Sequence, residues 1–251
     1  VSAKDRNKPA AKFPLFQFSA FADLSIEEAK ALRDLEGKAA TYKRGEVLRR
    51  EGDPNPRLYL LHKGWAATYR TFPNGGRQYF NIHCSGDLMG APSLPLQQAA
   101  ETLLALTDAT ISAVSADCLS ALFVGYPRLA VMFFLRAQVE RAYLMDHVAA
   151  LGRCNAEQRI AGFLVHVGEK ANLAAQHLGP AFELPLTQKQ IGDVLGLTPV
   201  HVNRVLRSFD ESGHIRRYRK WIELLRTEDL RGISGLAPLA VVKNAAWLPL
   251  I

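Results

Sequence analysis

The residues with the most chemistry to offer lie in one stretch, Leu186-Thr-Gln-Lys-Gln-Ile-Gly-Asp-Val-Leu-Gly-Leu-Thr-Pro-Val-His-Val-Asn-Arg-Val-Leu-Arg-Ser-Phe209. Thr187 followed by Gln190 has capping-box spacing, and Ile191, Val194 and Leu195 give the turns that follow one apolar side. Gly196 stops that helix. Thr198 caps a second, Pro199 takes the first helical position where a missing N–H costs nothing, and Val202, Val205, Leu206 and Phe209 form an inward stripe. Val200, His201, Asn203, Arg204 and Arg207 are left outside. Arginine can pair with guanine through two bonds, asparagine with adenine, and a small apolar side chain can meet a thymine methyl, so this face suits a DNA major groove. The competing reading is a solvated face of an ordinary helical hairpin. Against it stand the doubled caps and the basic stretch that follows: within 214–226, Arg216, Arg217, Arg219, Lys220 and Arg226 face only Glu223, where a wing hairpin would neutralise phosphates. The candidate DNA contacts are Thr187, Gln188, Thr198, Pro199, Val200, His201, Asn203, Arg204 and Arg207, with Arg216, Arg217 and Lys220 from the wing.

Other reactive residue types are sparse. Cys84, Cys118 and Cys154 are widely spaced and odd in number, which argues against a disulfide framework and fits a reducing compartment. None forms a CxxC pair, and buried core cysteine is the ordinary reading. Cys154 beside Asn155 is the one to test as a redox thiol. His62 and His83 invite a metal-dependent cupin enzyme as an alternative function, but they lack close His-x-His spacing and a nearby glutamate. A haem iron could in principle use His62, His83 or Cys84. Core or surface histidine is the commoner role.

The elements that must position the helical pair fall into three regions. After a short helix from Ser25 to Leu35, residues 38–115 show short β-type runs, Arg57–His62, Trp65–Phe72, Arg77–His83 and Thr107–Val114. They are separated by glycine-containing turns at Gly45, Gly52, Gly64, Gly75-Gly76 and Gly86, a pattern suited to a jelly roll. From Arg128 to Gly152 the chain reads as one long helix, with no glycine or proline until its end. Its apolar positions form two stripes, Met132, Leu135, Val139 and Ala142 on one side and Phe133, Ala137, Leu144, Val148 and Leu151 on another. A monomer buries one comfortably, so the second is the expected seam of a homodimer. Asn155 with Gln158 then caps a helix through about Ala171. The organisation expected is a basic tail at 1–12, a sensing β-roll at 13–127, a dimerisation helix at 128–152, a winged helix-turn-helix at 153–231 and a C-terminal tail at 232–251, an α+β chain. The apolar tail has no role in this reading.

With 251 residues, 48% of them hydrophobic and 22% charged, the chain can bury at least one core, and two are expected. Its net charge of +7 is uneven. Residues 13–152 are neutral, while the excess sits in the first twelve residues, at Lys4, Arg6, Lys8 and Lys12, and in 153–231. Arg136, Glu140, Arg141, Asp146 and His147 interrupt the long apolar stretch, so no membrane span is expected, and the N-terminus has no apolar signal core. A cytoplasmic location follows as an expectation.

The chain resembles the CRP/FNR family of bacterial transcription regulators from about Phe13 to Asp229. The match rests on Gly45, Gly52, Gly64 and Gly86-Asp87 in the roll, the long helix after Tyr126-Pro127, the hinge from Asn155 to Arg159, and Gln190-Ile-Gly-Asp-Val-Leu-Gly196. The resemblance implies a homodimer on palindromic double-stranded DNA, with RNA polymerase as a further partner. The family's second helix usually carries Arg-Glu-Thr-Val-x-Arg; here those base-reading positions are Pro199, Val200 and Arg204, so only the last is kept. The family's cyclic-nucleotide pocket falls, by resemblance, at Gly90, Ala91, Ala100, Glu101, Leu144 and Met145, and lacks the glutamate, the Arg-Ser pair and the polar helix residues that cAMP needs. Glu101 would set a carboxylate against a phosphate. The iron–sulfur subclass needs clustered N-terminal cysteines, and none precedes Cys84. Neither cAMP nor an iron–sulfur cluster is therefore expected. The effector is either another molecule or absent.

Overall fold

The computed structural model describes residues 14–54, 57–175 and 179–248; the basic tail at 1–12 lies outside them. Two short helices come first, α1 (Phe16–Ser19) and α2 (Ile26–Asp34). Ser25 caps α2 in a full capping box with Glu28. The roll follows with β1 (Ala39–Tyr42), β2 (Val47–Arg49), β3 (Leu58–Lys63), β4 (Ala66–Thr71), β5 (Arg77–His83), β6 (Leu88–Met89), β7 (Thr102–Ala105) and β8 (Ala109–Val114). Two antiparallel four-stranded sheets, ordered β1-β8-β3-β6 and β2-β7-β4-β5, enclose Leu61, Ala66, Met89, Leu103, Ala105, Ala109 and Ile111. β7 is buried on both faces. It does not alternate, and sequence reading passes over it for that reason.

α3 (Ala116–Gly125) turns at Tyr126 into α4 (Pro127–Arg153), the long helix. Among the described residues no single helix is long and apolar enough to cross a membrane. Met132 is fully buried, and Leu135 and Val139 pack with it against α1 and α3. α5 (Ala156–Ala175) begins at Asn155, whose side chain accepts from the Gln158 N–H at 3.0 Å while Gln158 Oε1 accepts from the Asn155 N–H at 2.9 Å. Then come β9 (Ala181–Glu183), α6 (Gln188–Leu195), α7 (Pro199–Glu211), β10 (Ile215–Tyr218), β11 (Trp221–Leu224) and α8 (Thr227–Ser234). The last three strands form a sheet ordered β10-β11-β9.

Two separate cores are the sequence expectation, but one apolar cluster runs through both halves. Trp65, Ala67, Tyr69, Tyr79, Ile82 and Leu104 on the outer face of the β4–β5 sheet join Leu164 and Val167 of α5 and Val194 of α6. Gln78 Nε2 also donates to the Val194 carbonyl at 2.9 Å. The helix-turn-helix half is docked on the roll, so strand β4 is covered on both faces over its first four residues.

Candidate nucleic-acid interface and sensor pocket

The α6–α7 pair is fixed by local chemistry. Thr187 accepts from the Gln190 N–H with the reciprocal Gln190 bond present, Gly196 takes a left-handed backbone (φ 64°), and Thr198 accepts from the His201 N–H. The helices approach so closely that a Cβ on Gly192 would lie 2.3 Å from the Leu197 carbonyl oxygen; only glycine fits there. Val202, Val205, Leu206 and Phe209 are buried. That leaves Val200, 76% exposed, with His201, Asn203, Arg204 and Arg207 on the open face.

Their partners differ. Gln188 Nε2 donates to Asn203 Oδ1 at 3.0 Å, tying the two helices and leaving the Asn203 amide hydrogens free to donate outward. His201 Nδ1 lies 3.1 Å from Thr198 Oγ1. Arg207 pairs with Glu211 one turn on, at 2.6 Å. Among the described residues the Arg204 guanidinium has no hydrogen bond or ion pair.

The wing cations also differ in their partners. Arg217 is half-buried and held by Asp210 of α7, both through its backbone N–H and its Nε, each near 3.2–3.3 Å. Arg216 pairs with Glu223 across the hairpin at 3.2 Å. These two cations brace the wing. Arg219 and Lys220 form its tip, between the paired residues Tyr218 and Trp221, and both are exposed. Arg219 has a left-handed backbone (φ 54°) and its guanidinium lies 5.5 Å from the Tyr218 ring centre. Arg219 belongs to the basic patch of the sequence, and strand register marks it as the tip.

On α4 the uncovered apolar positions are Phe134, Leu144, Met145 and Val148, with Ala137 and Arg141 also open. Positions 134, 137, 141, 144 and 148 step by 3 and 4, the spacing of a coiled-coil seam. Phe133, expected on that seam, turns inward instead. Its ring sits 4.8 Å from Phe18 and 5.3 Å from Phe123, because a shift of one residue on a helix rotates the side chain by about 100°. Leu151 is half-buried, with Cδ2 against Gly196.

The sensor positions also need revision. Glu101 is not an unpaired repellent charge: Arg49 Nη2 meets its Oε1 at 2.6 Å and the Ser93 hydroxyl donates to its Oε2 at 2.6 Å, all three buried. Ser93 Oγ in turn accepts from the Ala100 N–H, and Arg49 Nη1 donates to the Arg57 carbonyl. The chain supplies its own anion to its own arginine. A separate cavity of about 300 Å³ lies between the roll and α4, lined by Leu58, Leu88, Ala91, Phe123, Phe133 and Arg136 among others. Of the six positions expected to form a pocket, only Ala91 lines it; Gly90, Ala100 and Glu101 are elsewhere, and Leu144 and Met145 face outward from α4.

His62 and His83 have ordinary partners, Ser112 Oγ at 2.8 Å and Thr68 Oγ1 at 3.3 Å. Among the described residues no three His, Cys, Asp or Glu side chains gather as a metal site. Burial pushes the Cys84 thiol far up, so it is no redox thiolate.

Where the roll, α4 and α5 meet, Asp87 is 1% exposed and bonded from four sides. Lys170 Nζ of α5 lies 2.7 Å from Oδ2, Gln17 Nε2 of α1 donates to Oδ1 at 3.0 Å, the Cys84 N–H donates to Oδ2, and Arg136 of α4 stands 3.6 Å away. Burial alone would raise the Asp87 pKa, but Lys170, His83 and Arg136 outweigh it and hold the carboxyl well below the usual range. Nearby, the His166 and Tyr143 ring centres lie 4.3 Å apart with their planes tilted by 47°, and burial together with the Lys170 charge pulls the His166 pKa down to about 3.

A double-sheet roll, a long helix and a capped helix-turn-helix with an uncovered polar face define a two-domain DNA-binding regulator. The comparisons agree. Residues 39–126 match the cyclic nucleotide-binding domain and 158–233 the Crp-like helix-turn-helix domain. Electron transport regulator A of Shewanella oneidensis is 25% identical over 86% of each chain. The transcriptional activator protein FnrA of Stutzerimonas stutzeri is 25% identical over 84% of this chain and 86% of its own. In fold, the chain is similar to FixK2 from Bradyrhizobium japonicum, with a TM-score of 0.72, 24% identity, and coverage of 80% of this chain and 98% of that one. The protein belongs to the CRP/FNR family of transcription regulators.

Proposed function

We propose that the protein acts as a homodimer joined along α4, reading a palindromic operator with α7 in the major groove of each half-site, under the control of an effector other than cAMP. The observation that carries this is the uncovered face of α7, where Arg204 has no hydrogen-bond or ion-pair partner among the described residues and Val200 and Asn203 flank it. In a dimer of this kind, half-site centres stand about 10 bp apart. Arg219 and Lys220 at the wing tip supply phosphate contacts. The Arg49–Glu101 pair supports the exclusion of cyclic nucleotides, since a phosphate would have to displace a buried carboxylate. The cavity beside Phe123 and Phe133 suits an apolar molecule, with Arg136 at its edge. Family membership supports a cytoplasmic regulator working with RNA polymerase, and not an enzyme.

Selection of bound fragments from a random duplex pool tests the reading. An imperfect palindrome of that spacing is expected; recovery of sequences with no common half-site would sink it. Charges at two seam positions, Phe134→Glu with Leu144→Glu, should give a folded monomer, because each would bury an unpaired carboxylate. Sedimentation as an unchanged dimer would place the interface elsewhere.

A further inference from the structure

Residues 236–248 follow α8 without regular secondary structure, and nothing in the DNA reading uses them. They run from the helix-turn-helix half back to the N-terminal helices. At their start, Leu236 Cδ1 lies against Gly162 of α5. At their end, Lys243 Nζ sits 2.6 Å from Asp23 Oδ1, the Asn244 N–H donates to the Phe21 carbonyl at 2.7 Å, and Leu248, 4% exposed, enters the apolar cluster of Phe18, Phe21, Ala22 and Leu32. Asn244 makes the turn with a left-handed backbone (φ 55°), which asparagine tolerates better than most residues. An ion pair, a backbone hydrogen bond and a buried leucine thus converge on one small region of the sensor half.

We propose that residues 236–248 are a strap that holds the helix-turn-helix domain docked on the sensor domain, in parallel with the buried Asp87–Lys170 pair. The docked arrangement leaves the outward face of α7 uncovered, so the strap positions that face for DNA; it does not mask it. Its grip is modest, since both ion-pair partners are at least half exposed and such pairs hold weakly. The anchorage is therefore releasable, and the fraction of molecules docked scales the apparent DNA affinity. Only this last consequence rests on the DNA-binding reading.

The test uses the full chain with Leu248→Ser, Lys243→Glu, and the charge-swapped pair Lys243→Glu with Asp23→Lys. Amide hydrogen exchange is read over 78–84 and 160–170, the two sides of the docked boundary, and over 236–248. Leu248→Ser should speed exchange in all three at least tenfold and weaken binding to a duplex recovered by the parent protein severalfold. Lys243→Glu should do the same to a smaller extent and the charge swap should reverse it, which keeps the test decisive if Leu248→Ser fails to fold. Unchanged exchange at the boundary in Lys243→Glu overturns the strap. Faster exchange with unchanged or tighter DNA binding overturns its positioning role. If the parent recovers no duplex, the DNA reading fails while exchange still decides the strap.

Discussion

Arg49 and Arg204 carry the same guanidinium in opposite settings. Arg49 lies in the roll, 4% exposed, its charge met by Glu101 and its two terminal nitrogens bonded further to Ser93 and the Arg57 carbonyl, with only Nε left without a hydrogen bond among the described residues. Arg204 stands on the open face of α7 with no partner among the described residues. An arginine satisfied by its own chain is part of the architecture, whereas one whose donors are left to water is available to a ligand. A weaker form of the contrast runs through the wing, where Arg216 and Arg217 pair with Glu223 and Asp210 while Arg219 lies beside the Tyr218 ring and has no ion pair among the described residues.

The largest effect that can break this contrast is at the closed site. Glu101→Ala leaves Arg49 buried without a counter-charge and should cost about 3–5 kcal/mol of stability in urea unfolding. Replacing both, Arg49→Met with Glu101→Leu, should recover most of it. A loss below about 0.5 kcal/mol for the single variant would mean that the site is wet and open to anions after all.

A titration asks whether the docked boundary is equally closed. His166 has its pKa drawn down to about 3 by burial first and by Lys170 second, against about 6.5 in an unfolded chain. Its contribution to stability is therefore complete above pH 6.5 and falls as pH drops below it. The unfolded chain takes up a proton that the native one refuses, at up to about 1.4 kcal/mol per pH unit until about pH 3. His166→Phe should remove that slope between pH 6.5 and 4.5. Parallel pH profiles for parent and variant would show that water reaches the boundary.

On the open face, Arg204→Ala should cost about 1–3 kcal/mol of operator affinity and relax preference at one position per half-site. Smallest of all, Lys220→Ala should weaken all sequences alike and lower the salt dependence by about one unit. If Lys220→Ala shifted base preference while Arg204→Ala did not, the two roles would be exchanged.

Local signals made much of this legible. The caps at Asn155, Thr187 and Thr198 mark helix starts wherever a short polar side chain can reach an N–H three residues on. Strand β5 was readable end to end from Arg77 to His83 between its turns. The fully buried run of β7 was not, because burial on both faces erases the alternation that identifies a strand. The second apolar stripe on α4 is legible in the sequence, but only the packing of Phe18 and Phe123 against Phe133 takes that ring out of it and leaves Phe134 uncovered.

The sequence by itself determined the helix-turn-helix and the outward set of α7, since each depends on residues within a few turns of one another, and it marked the family through short motifs spread from Gly45 to Gly196. Tertiary structure decided what was distant in the chain. It paired Arg49 with Glu101 across 52 residues, joined Asp87 to Lys170 and brought Leu248 back to Phe21. Charge and hydrophobicity say that such groups need partners, but a partner's identity depends on which surfaces meet, and that is fixed only when the whole chain packs.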